Sequence, residues 1–243
     1  MITATHLHKR FGPLTAVDDI SFDLRQGETF GLLGPNGAGK TTTINMLVGI
    51  LAPDSGSVRI DGSHDPTQAQ TRSKIGNAPQ ALALYDELSA EENLFFFGRL
   101  YQLSGARLSE RVAWALDLAG LTERRRDPVR TFSGGMKRRL NLACAVTHDP
   151  PVLLLDEPTV GVDPQSRNLI FERIESLKRD GRTILYTTHY MEEAQRLCDR
   201  VAIVDRGRIL ALDTVENLIA VHGGKSVIDR KSTRLNSSHG KLS

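Results

Sequence analysis

The chain has few cysteines and no long apolar run. Only two of its 243 residues are cysteine. Cys144 and Cys198 lie far apart, form no C-x-x-C pair and have no cluster of histidine or cysteine ligands nearby, so we expect two buried thiols. No stretch reaches the length of a membrane-spanning helix, and residues 1–6 lack the charged-then-apolar pattern of a signal peptide. These absences predict a protein of the cytosol.

The chain also lacks a strong excess of either charge. The formal net charge is +2, but residues 229–243 carry four basic side chains and one acidic side chain, so the remainder has a net charge of −1. No basic face for nucleic acid remains after that subtraction, and we expect no nucleic-acid partner.

The last segment resembles a foreign sequence. Residues 229–239 match, in order, the translation of an adapter oligonucleotide that is ligated to DNA fragments in short-read sequencing. We therefore treat residues 229–243 as read-through that follows a domain at residues 1–228. The alternative is a polar natural tail. Sequencing the gene from its source distinguishes the two, since native codons that differ from the adapter would exclude read-through.

A phosphate-binding loop is the most specific motif. Residues 34–41 read GPNGAGKT and fit the template G-x-x-x-x-G-K-[ST]. An expected buried strand at residues 29–33 precedes the loop, and an expected helix at residues 42–47 follows it. The alternative, a glycine-rich turn with a chance lysine, does not explain this context. The motif predicts that the chain binds a nucleoside triphosphate.

Each residue type in the loop has a physical role there. Gly34, Gly37 and Gly39 allow backbone N–H groups to curve around phosphate oxygens without a clash of Cβ atoms. The start of the helix adds a partial positive charge. Lys40 is expected to reach the β- and γ-phosphates, and the Thr41 hydroxyl is expected to bind Mg²⁺.

The rest of the chain predicts an α/β fold. Residues 1–33 alternate apolar and polar side chains and are expected to form antiparallel strands, whereas residues 81–148 are mostly helical in pattern. Ser89 with Glu92 fits a helix capping box. Two apolar strands at residues 152–155 and 183–187 flank a helix, which favours a parallel sheet with helices on its faces. A closing hairpin is expected near residues 201–211.

Two acidic residues end the first of those apolar strands. Ligands bind at the carboxyl ends of strands in open α/β sheets, which is where Asp156 and Glu157 are expected to lie. Asp156 suits Mg²⁺ held through water, and Glu157 suits the polarisation of an attacking water. The alternative is a solvated acidic turn at the end of a buried strand.

A second anion-binding motif precedes this strand. Ser133, Gly134 and Gly135 open an expected helix, and such a helix start offers free N–H groups and a hydroxyl donor. One nucleotide does not need two such helix starts on one chain. We therefore expect a dimer in which this motif closes over the ATP of the partner.

These motifs, in this order, resemble the nucleotide-binding subunit of ABC transporters over about residues 2–220. The resemblance implies an α/β P-loop NTPase fold, with a RecA-like parallel-sheet core, an N-terminal antiparallel β subdomain and an inserted α-helical subdomain at about residues 81–148. Phe11 would stack on adenine, Gln80 would contact Mg²⁺, and Asp163 would lie at the dimer seam. His189 would contact the γ-phosphate and steady Glu157.

The full set of expected site residues follows from the loop motif and the resemblance together. The expected nucleotide-binding residues are Phe11, Gly34, Pro35, Asn36, Gly37, Ala38, Gly39, Lys40, Thr41, Thr42, Gln80, Ser133, Gly134, Gly135, Asp156 and Asp163. The expected catalytic residues are Glu157, His189 and Lys40. The expected Mg²⁺ ligands are Thr41, Gln80 and, through water, Asp156.

Several of these residues have a simpler interpretation. Phe11 could be strand core, Gln80 a surface residue, Asp163 a helix cap and His189 a structural histidine. Phe11 also departs from the family, which most often has tyrosine at that position. The residues that flank the Ser-Gly-Gly motif depart too: leucine and glutamine are common there, and this chain has Phe132 and Met136.

The resemblance implies an ATPase that works with ATP and Mg²⁺. Two copies of this subunit, or this subunit and a close paralogue, would sandwich two ATP molecules head to tail. The pair would drive a separate integral-membrane permease from the cytoplasmic face of the membrane. Residues 31–35 and 136–140 look most like the branch that exports drugs and polysaccharides. The alternatives are an importer subunit, a soluble ABC ATPase that acts outside transport, and a regulatory subunit without hydrolysis. Three phenylalanines at residues 95–97 cannot share one helix face, and one of them is expected to line a groove for a permease helix.

Overall fold

A computed structural model describes residues 2–62 and 65–222 of the chain. The segment that we interpret as read-through, residues 229–243, lies outside the described residues. The strands are β1 Ile2–Phe11, β2 Leu14–Leu24, β3 Thr29–Leu33, β4 Ser55–Ile60, β5 Ile75–Ala78, β6 Val152–Asp156, β7 Thr183–Thr188, β8 Arg200–Asp205 and β9 Arg208–Thr214.

Helices alternate with these strands and form one block between β5 and β6. They are α1 Lys40–Leu47, α2 Ala69–Arg72, α3 Ala90–Leu100, α4 Gly105–Ala119, α5 Gly134–Val146, α6 Pro164–Arg179, α7 Met191–Leu197 and α8 Val215–His222. None of the helices in the described parts of the chain is both long and apolar enough to cross a membrane.

A small antiparallel sheet forms the N-terminal part, with strand order β2-β1-β4. Alternate residues of β2 are buried from Ile20 to Leu24, as the alternating sequence predicts. Phe22 on β2 stacks on Phe30 of β3, with ring centroids 5.2 Å apart. This contact joins the small sheet to the larger one, and the two sheets share one apolar core.

The larger sheet has six strands in the order β5-β6-β7-β3-β8-β9, and all neighbours are parallel except β8 and β9. The antiparallel arrangement expected for residues 1–33 is therefore wrong for β3. All five residues of β3 are buried. A continuously buried strand is typical of a parallel sheet with both faces covered, whereas the antiparallel β2 keeps its alternation.

Helices α3, α4 and α5 form the expected helical subdomain around a core of their own. The capping box at the start of α3 is confirmed, because the Ser89 side chain accepts from the Glu92 N–H while Glu92 accepts from the Ser89 N–H. Both cysteines are buried free thiols, as expected. Burial raises the pKa of Cys198 to about 12, so this thiol stays protonated near neutral pH.

His148 follows α5 and packs where the helical subdomain meets the larger sheet. Its ring stacks on Tyr101 with centroids 3.6 Å apart, and its Nε2 lies 3.2 Å from the Ile75 carbonyl oxygen. Burial lowers the pKa of His148 to about 4. The ring is therefore neutral in the folded protein near pH 7.

This pKa predicts a loss of stability on acidification. Below about pH 6.5 the unfolded chain takes up a proton on His148 that the folded chain binds only near pH 4, so stability falls as the pH drops between these values. We expect this residue to contribute a loss of at most about 3 kcal/mol in the free energy of unfolding. His148→Phe keeps a ring against Tyr101 but cannot titrate. Denaturant unfolding between pH 7 and pH 4 should show a shallower pH dependence for the variant, and equal slopes would contradict the assignment.

Candidate active site

The carboxyl ends of β3, β6 and β7 meet at one edge of the larger sheet. The loop after β3 leads into α1, which begins at Lys40, two residues earlier than expected. Gly39 caps this helix with φ of 101°, and a Cβ atom there would lie 2.4 Å from the Ala16 carbonyl oxygen. A larger residue at position 39 would therefore clash with the backbone of β2. The loop borders a groove of about 440 Å³, which is lined by Phe11, Leu14, Ala16, Asn36, Gly37, Gly39, Lys40, Thr41, Thr42, Gln80 and Glu157.

Lys40 lies at the floor of this groove and is buried. Its Nζ donates to the carbonyl oxygens of Gly34 at 2.7 Å and Pro35 at 3.1 Å, and lies 3.0 Å from Oε1 of Glu157. Both side chains of this ion pair are about 95% buried, since their exposed fractions are 4% and 5%. A buried charge is tolerated only when it is paired and hydrogen-bonded. Lys40 and Glu157 each provide the opposite charge that the other needs.

Thr187 on β7 holds the two acidic residues at the end of β6. Its hydroxyl donates to Oδ1 of Asp156 at 2.6 Å and accepts from the Glu157 N–H at 3.0 Å. Glu157 has φ of 45°, in the left-handed region that non-glycine residues seldom occupy. Such backbone strain persists only when surrounding contacts hold it, and it occurs often at functional sites.

Two further predicted residues meet Glu157 from other elements. The amide nitrogen of Gln80 lies 3.4 Å from Oε2, and Nδ1 of His189 lies 3.5 Å from the same oxygen without hydrogen-bond geometry. Gln80 is exposed, as in the surface-residue interpretation, yet its side chain reaches the buried carboxylate. The structure thus brings Lys40, Gln80, Glu157 and His189 together.

Phe11 lies at the rim of the same groove and not in the core. Its side chain is 49% exposed, which excludes the strand-core interpretation. The Lys9 ammonium lies 5.9 Å from the centroid of the Phe11 ring. An exposed aromatic face beside a phosphate-binding loop offers a stacking surface for a planar ring.

The Ser-Gly-Gly motif lies outside this groove. Ser133 caps α5 by accepting from the Met136 N–H at 3.3 Å, and it is exposed. Asp163 caps α6 by accepting from the Ser166 N–H at 2.9 Å, and hydrogen bonds from Ser166 lower the pKa of its carboxyl. The capping role that the sequence offered for Asp163 is therefore present.

The starts of α5 and α6 pack directly on each other. A Cβ atom on Gly135 would lie 2.1 Å from Oγ of Ser166, whereas one on Gly134 would come no closer than 3.8 Å to the Gly161 carbonyl oxygen. Gly135 is thus required by close packing, and Gly134 leaves an open, exposed helix start.

Sequence reasoning missed two residues that support the site. Arg138 on α5 donates to the Gln80 carbonyl oxygen at 2.5 Å, which ties the Ser-Gly-Gly helix to the Gln80 loop. Burial lowers the pKa of the Arg138 guanidinium, while Asp156 and Glu157 oppose that shift. Glu193 on α7 is buried among hydroxyl groups of three other residues. No local pattern distinguishes either residue from its charged neighbour in the sequence.

Comparison with known proteins identifies the family. Residues 17–160 match the ABC transporter family. The chain belongs to this family. It is 47% identical over 237 residues to the linearmycin resistance ATP-binding protein LnrL of Bacillus subtilis (strain 168), a match that covers 97% of this chain and 76% of that protein. It is 45% identical over 230 residues to the Nod factor export ATP-binding protein I of Ralstonia nicotianae, covering 94% of this chain and 72% of the relative.

Solved structures of ABC ATP-binding subunits have the same fold. One ATP-binding subunit of an ABC transporter superposes with a TM-score of 0.82 at 31% identity, over 92% of this chain and 93% of that one. A dimeric ATP-binding cassette in a post-hydrolysis state, bound to ADP and Pi, gives a TM-score of 0.80 at 25% identity, over 88% and 99%. This protein is therefore an ABC ATP-binding subunit with ATPase activity. The expected P-loop NTPase fold is confirmed.

The contact between α5 and α6 makes a prediction about two adjacent glycines. Gly135→Ala should lower the free energy of unfolding by about 1–3 kcal/mol, because the new methyl group overlaps Ser166. Gly134→Ala is the matched control and should cost less than about 0.5 kcal/mol, since its methyl group meets only ordinary contacts. Denaturant unfolding without nucleotide measures both.

A companion substitution tests the cause of that loss. Ser166→Gly removes the overlapping atoms, so the double variant should be more stable than the sum of the single effects predicts. Additive losses, or equal losses for the two glycines, would contradict the packing explanation.

Proposed function

We propose that this ATPase is the motor subunit of an ABC exporter, with residues 1–228 as its ATP-binding domain. The observation that carries the proposal is the division of the phosphate-binding motifs in space. Lys40, Gln80 and Glu157 line one groove and His189 approaches Glu157 beside it, while the Ser133 helix start opens to solvent elsewhere on the chain. A second subunit placed head to tail would bring its Ser133, Gly134 and Gly135 over the nucleotide bound here.

The relatives favour export over the other classes of ABC ATPase. The names of two relatives at 47% and 45% identity describe linearmycin resistance and Nod factor export. We infer from them that this subunit drives the export of a drug, a polysaccharide or another amphiphile. The transported molecule would bind to the permease and not to this chain.

The aromatic ring of Phe11 and the backbone of the phosphate-binding loop would both bind ATP in the groove. Phe11 would stack on adenine, and residues 34–42 would surround the phosphates with N–H groups from the loop and the start of α1. Gly37 lines the groove with φ of 80°, and among the described residues no atom beyond its two chain neighbours lies within 4 Å of where its Cβ would be. Lys40 would exchange contacts with Glu157 for contacts with the terminal phosphates.

The donor set beside the loop fits Mg²⁺. Thr41, Gln80 and Asp156 offer a hydroxyl, an amide oxygen and a carboxylate, which are the hard oxygen ligands that Mg²⁺ prefers, with water between Asp156 and the ion. When bound, the ion would neutralise phosphate charge. Thr187 holds the Asp156 carboxylate in place with a hydrogen bond of 2.6 Å.

Glu157 is our candidate for the group that orients the attacking water. Its carboxylate is buried at the inner end of the groove, where Lys40, Gln80 and His189 surround it. His189 would contact the γ-phosphate and keep Glu157 in place. Catalysis would then rest on positioning and on charges that are arranged before the reaction begins.

Assembly would use two further surfaces. Asp163, which caps α6 beside the Ser133 motif, would lie at the seam between the two subunits. On α3, Phe96 and Leu100 are 41% and 63% exposed and border a groove of about 570 Å³ with Phe95. We propose that this apolar groove receives a helix of the permease and holds the subunit at the cytoplasmic face of the membrane.

Hydrolysis tests the assignment of Glu157. Glu157→Gln should bind ATP with Mg²⁺ about as tightly as the unaltered chain, because Lys40 keeps its two carbonyl acceptors. Its turnover should fall at least about a hundredfold, which is the contribution typical of a lost general base. Phosphate release measured at saturating ATP gives the rate, and equilibrium titration with a fluorescent ATP analogue gives the affinity.

The matched control is Glu123→Gln, since Glu123 is an exposed glutamate outside the groove. It should leave both turnover and affinity unchanged. If Glu157→Gln turned over at close to the rate of the Glu123 variant, Glu157 would have no part in hydrolysis.

A further inference from the structure

One buried carboxylate near the site has no role in the mechanism above. Glu193 on α7 is only 3% exposed. Three hydroxyl groups donate to it: Thr159 Oγ1 at 2.7 Å to Oε1, Tyr186 OH at 2.9 Å to Oε2, and Thr188 Oγ1 at 2.7 Å to Oε2. Among the described residues, its one ion-pair partner is Arg167, whose Nε lies 3.9 Å away, beyond hydrogen-bond distance. Glu193 is therefore held chiefly by hydroxyl donors.

Two of these hydroxyl groups belong to the segments that carry Glu157 and His189. Thr159 lies two residues after Glu157, in the loop that leads to α6. Thr188 ends β7 directly before His189, and its hydroxyl also accepts from the Tyr190 N–H at 3.0 Å. The hydrogen bonds through Thr188 thus hold the backbone on both sides of His189.

Thr187 and Thr188, which are neighbours on β7, form hydrogen bonds on opposite sides of the sheet. Side chains alternate along a strand, so Thr187 points to Asp156 and Glu157 while Thr188 points to Glu193. Tyr186, two residues before Thr188, shares its side of the sheet and its acceptor.

The chemistry of a carboxylate suits this position. An ionised carboxylate only accepts hydrogen bonds, so each surrounding hydroxyl must point its proton at Glu193 and has one fixed orientation. Burying such a charge is costly, and the cost is reduced by charge-assisted hydrogen bonds, which are about twice as strong as neutral ones. A glutamine would present one oxygen and one N–H₂ group, and the N–H₂ group could not accept a hydrogen bond from a hydroxyl.

We propose that Glu193 is a positioning residue for ATP hydrolysis that joins the Glu157 loop to the His189 loop through Thr159 and Thr188. This inference rests on the roles proposed above for Glu157 and His189. Neither Glu193 nor its hydroxyl partners line the groove. Its loss should therefore alter the alignment of the reacting groups and leave ATP binding intact.

Turnover per ATP-binding site separates this role from a purely structural one. Glu193→Ala and Glu193→Gln should both lower kcat by about ten- to a hundredfold, the effect expected when reacting groups shift by about 1 Å. The KM for ATP and the binding stoichiometry should stay near the values of the unaltered chain. Glutamine keeps the side-chain volume, so a loss shared by both variants reports the carboxylate and not its packing. The matched control is Glu192→Ala, which removes the adjacent, exposed glutamate and should change nothing.

Removing one hydroxyl at a time provides a second test that disturbs the core less. Thr159→Val and Thr188→Val should each lower kcat. Thr159→Val should not lower it further in a Glu193→Ala background, because the acceptor of the Thr159 hydroxyl is already gone, whereas Thr188→Val also removes the acceptor of the Tyr190 N–H. Thr147→Val is the control, since Thr147 is a buried threonine whose hydroxyl donates to the Ala143 carbonyl oxygen of α5, away from Glu193. If Glu193→Ala does not fold, the two valine variants and their control decide the question.

Three results are informative in combination. Reduced thermal stability with unchanged kcat per ATP-binding site would overturn the positioning role. Inactive Glu157→Gln with full turnover in the Glu193 and threonine variants would overturn this inference alone. Full turnover in Glu157→Gln would overturn the proposed mechanism, and with it the basis for this one.

Discussion

The parallel pairing of β6, β7 and β3 is the constraint on which the rest of the site depends. Leu33 lies opposite Thr188, and Asp156 lies opposite Thr187, so all three strands end at the same edge of the sheet. The phosphate-binding loop, the acidic pair and His189 then emerge side by side, although the chain separates them widely. Apolar residues make this possible, because β3 and the part of β6 before Asp156 are buried throughout and leave only their ends for chemistry.

The same edge holds its charges with very little exposure to solvent. Lys40, Asp156 and Glu157 are each at most 5% exposed, and carbonyl, hydroxyl and carboxylate groups satisfy them. Preformed charges in a dry site interact more strongly than they would in water and need not reorganise when the reaction begins. The positive φ of Glu157 adds backbone strain to this arrangement. The Thr187 hydroxyl stabilises the strained conformation by accepting a hydrogen bond from the Glu157 N–H.

Local sequence predicted the loop, the capping box and the acidic pair because each is set by residues close together in the chain. The antiparallel pairing predicted for β3 is wrong. The alternation of β1 and β2 does not continue into β3, whose neighbours β7 and β8 come from distant segments. The exposure of Phe11 and the inward turn of Glu193 also depend on distant elements. In α7, Glu192 and Glu193 are chemically equivalent in sequence, and only packing against β7 and the Thr159 loop distinguishes them.

The mass in solution tests whether two of these subunits close around ATP. Light scattering of the full chain with Glu157→Gln, with and without ATP and Mg²⁺, compares the mass with the 26.8 kDa of one chain. The proposed dimer should give the mass of one chain without nucleotide and twice that mass with ATP. Adding Ser133→Glu should prevent the doubling, because it places negative charge against the phosphate bound by the partner. A mass that stays at one chain while ATP is bound, or one that doubles equally with Ser133→Glu, would contradict it.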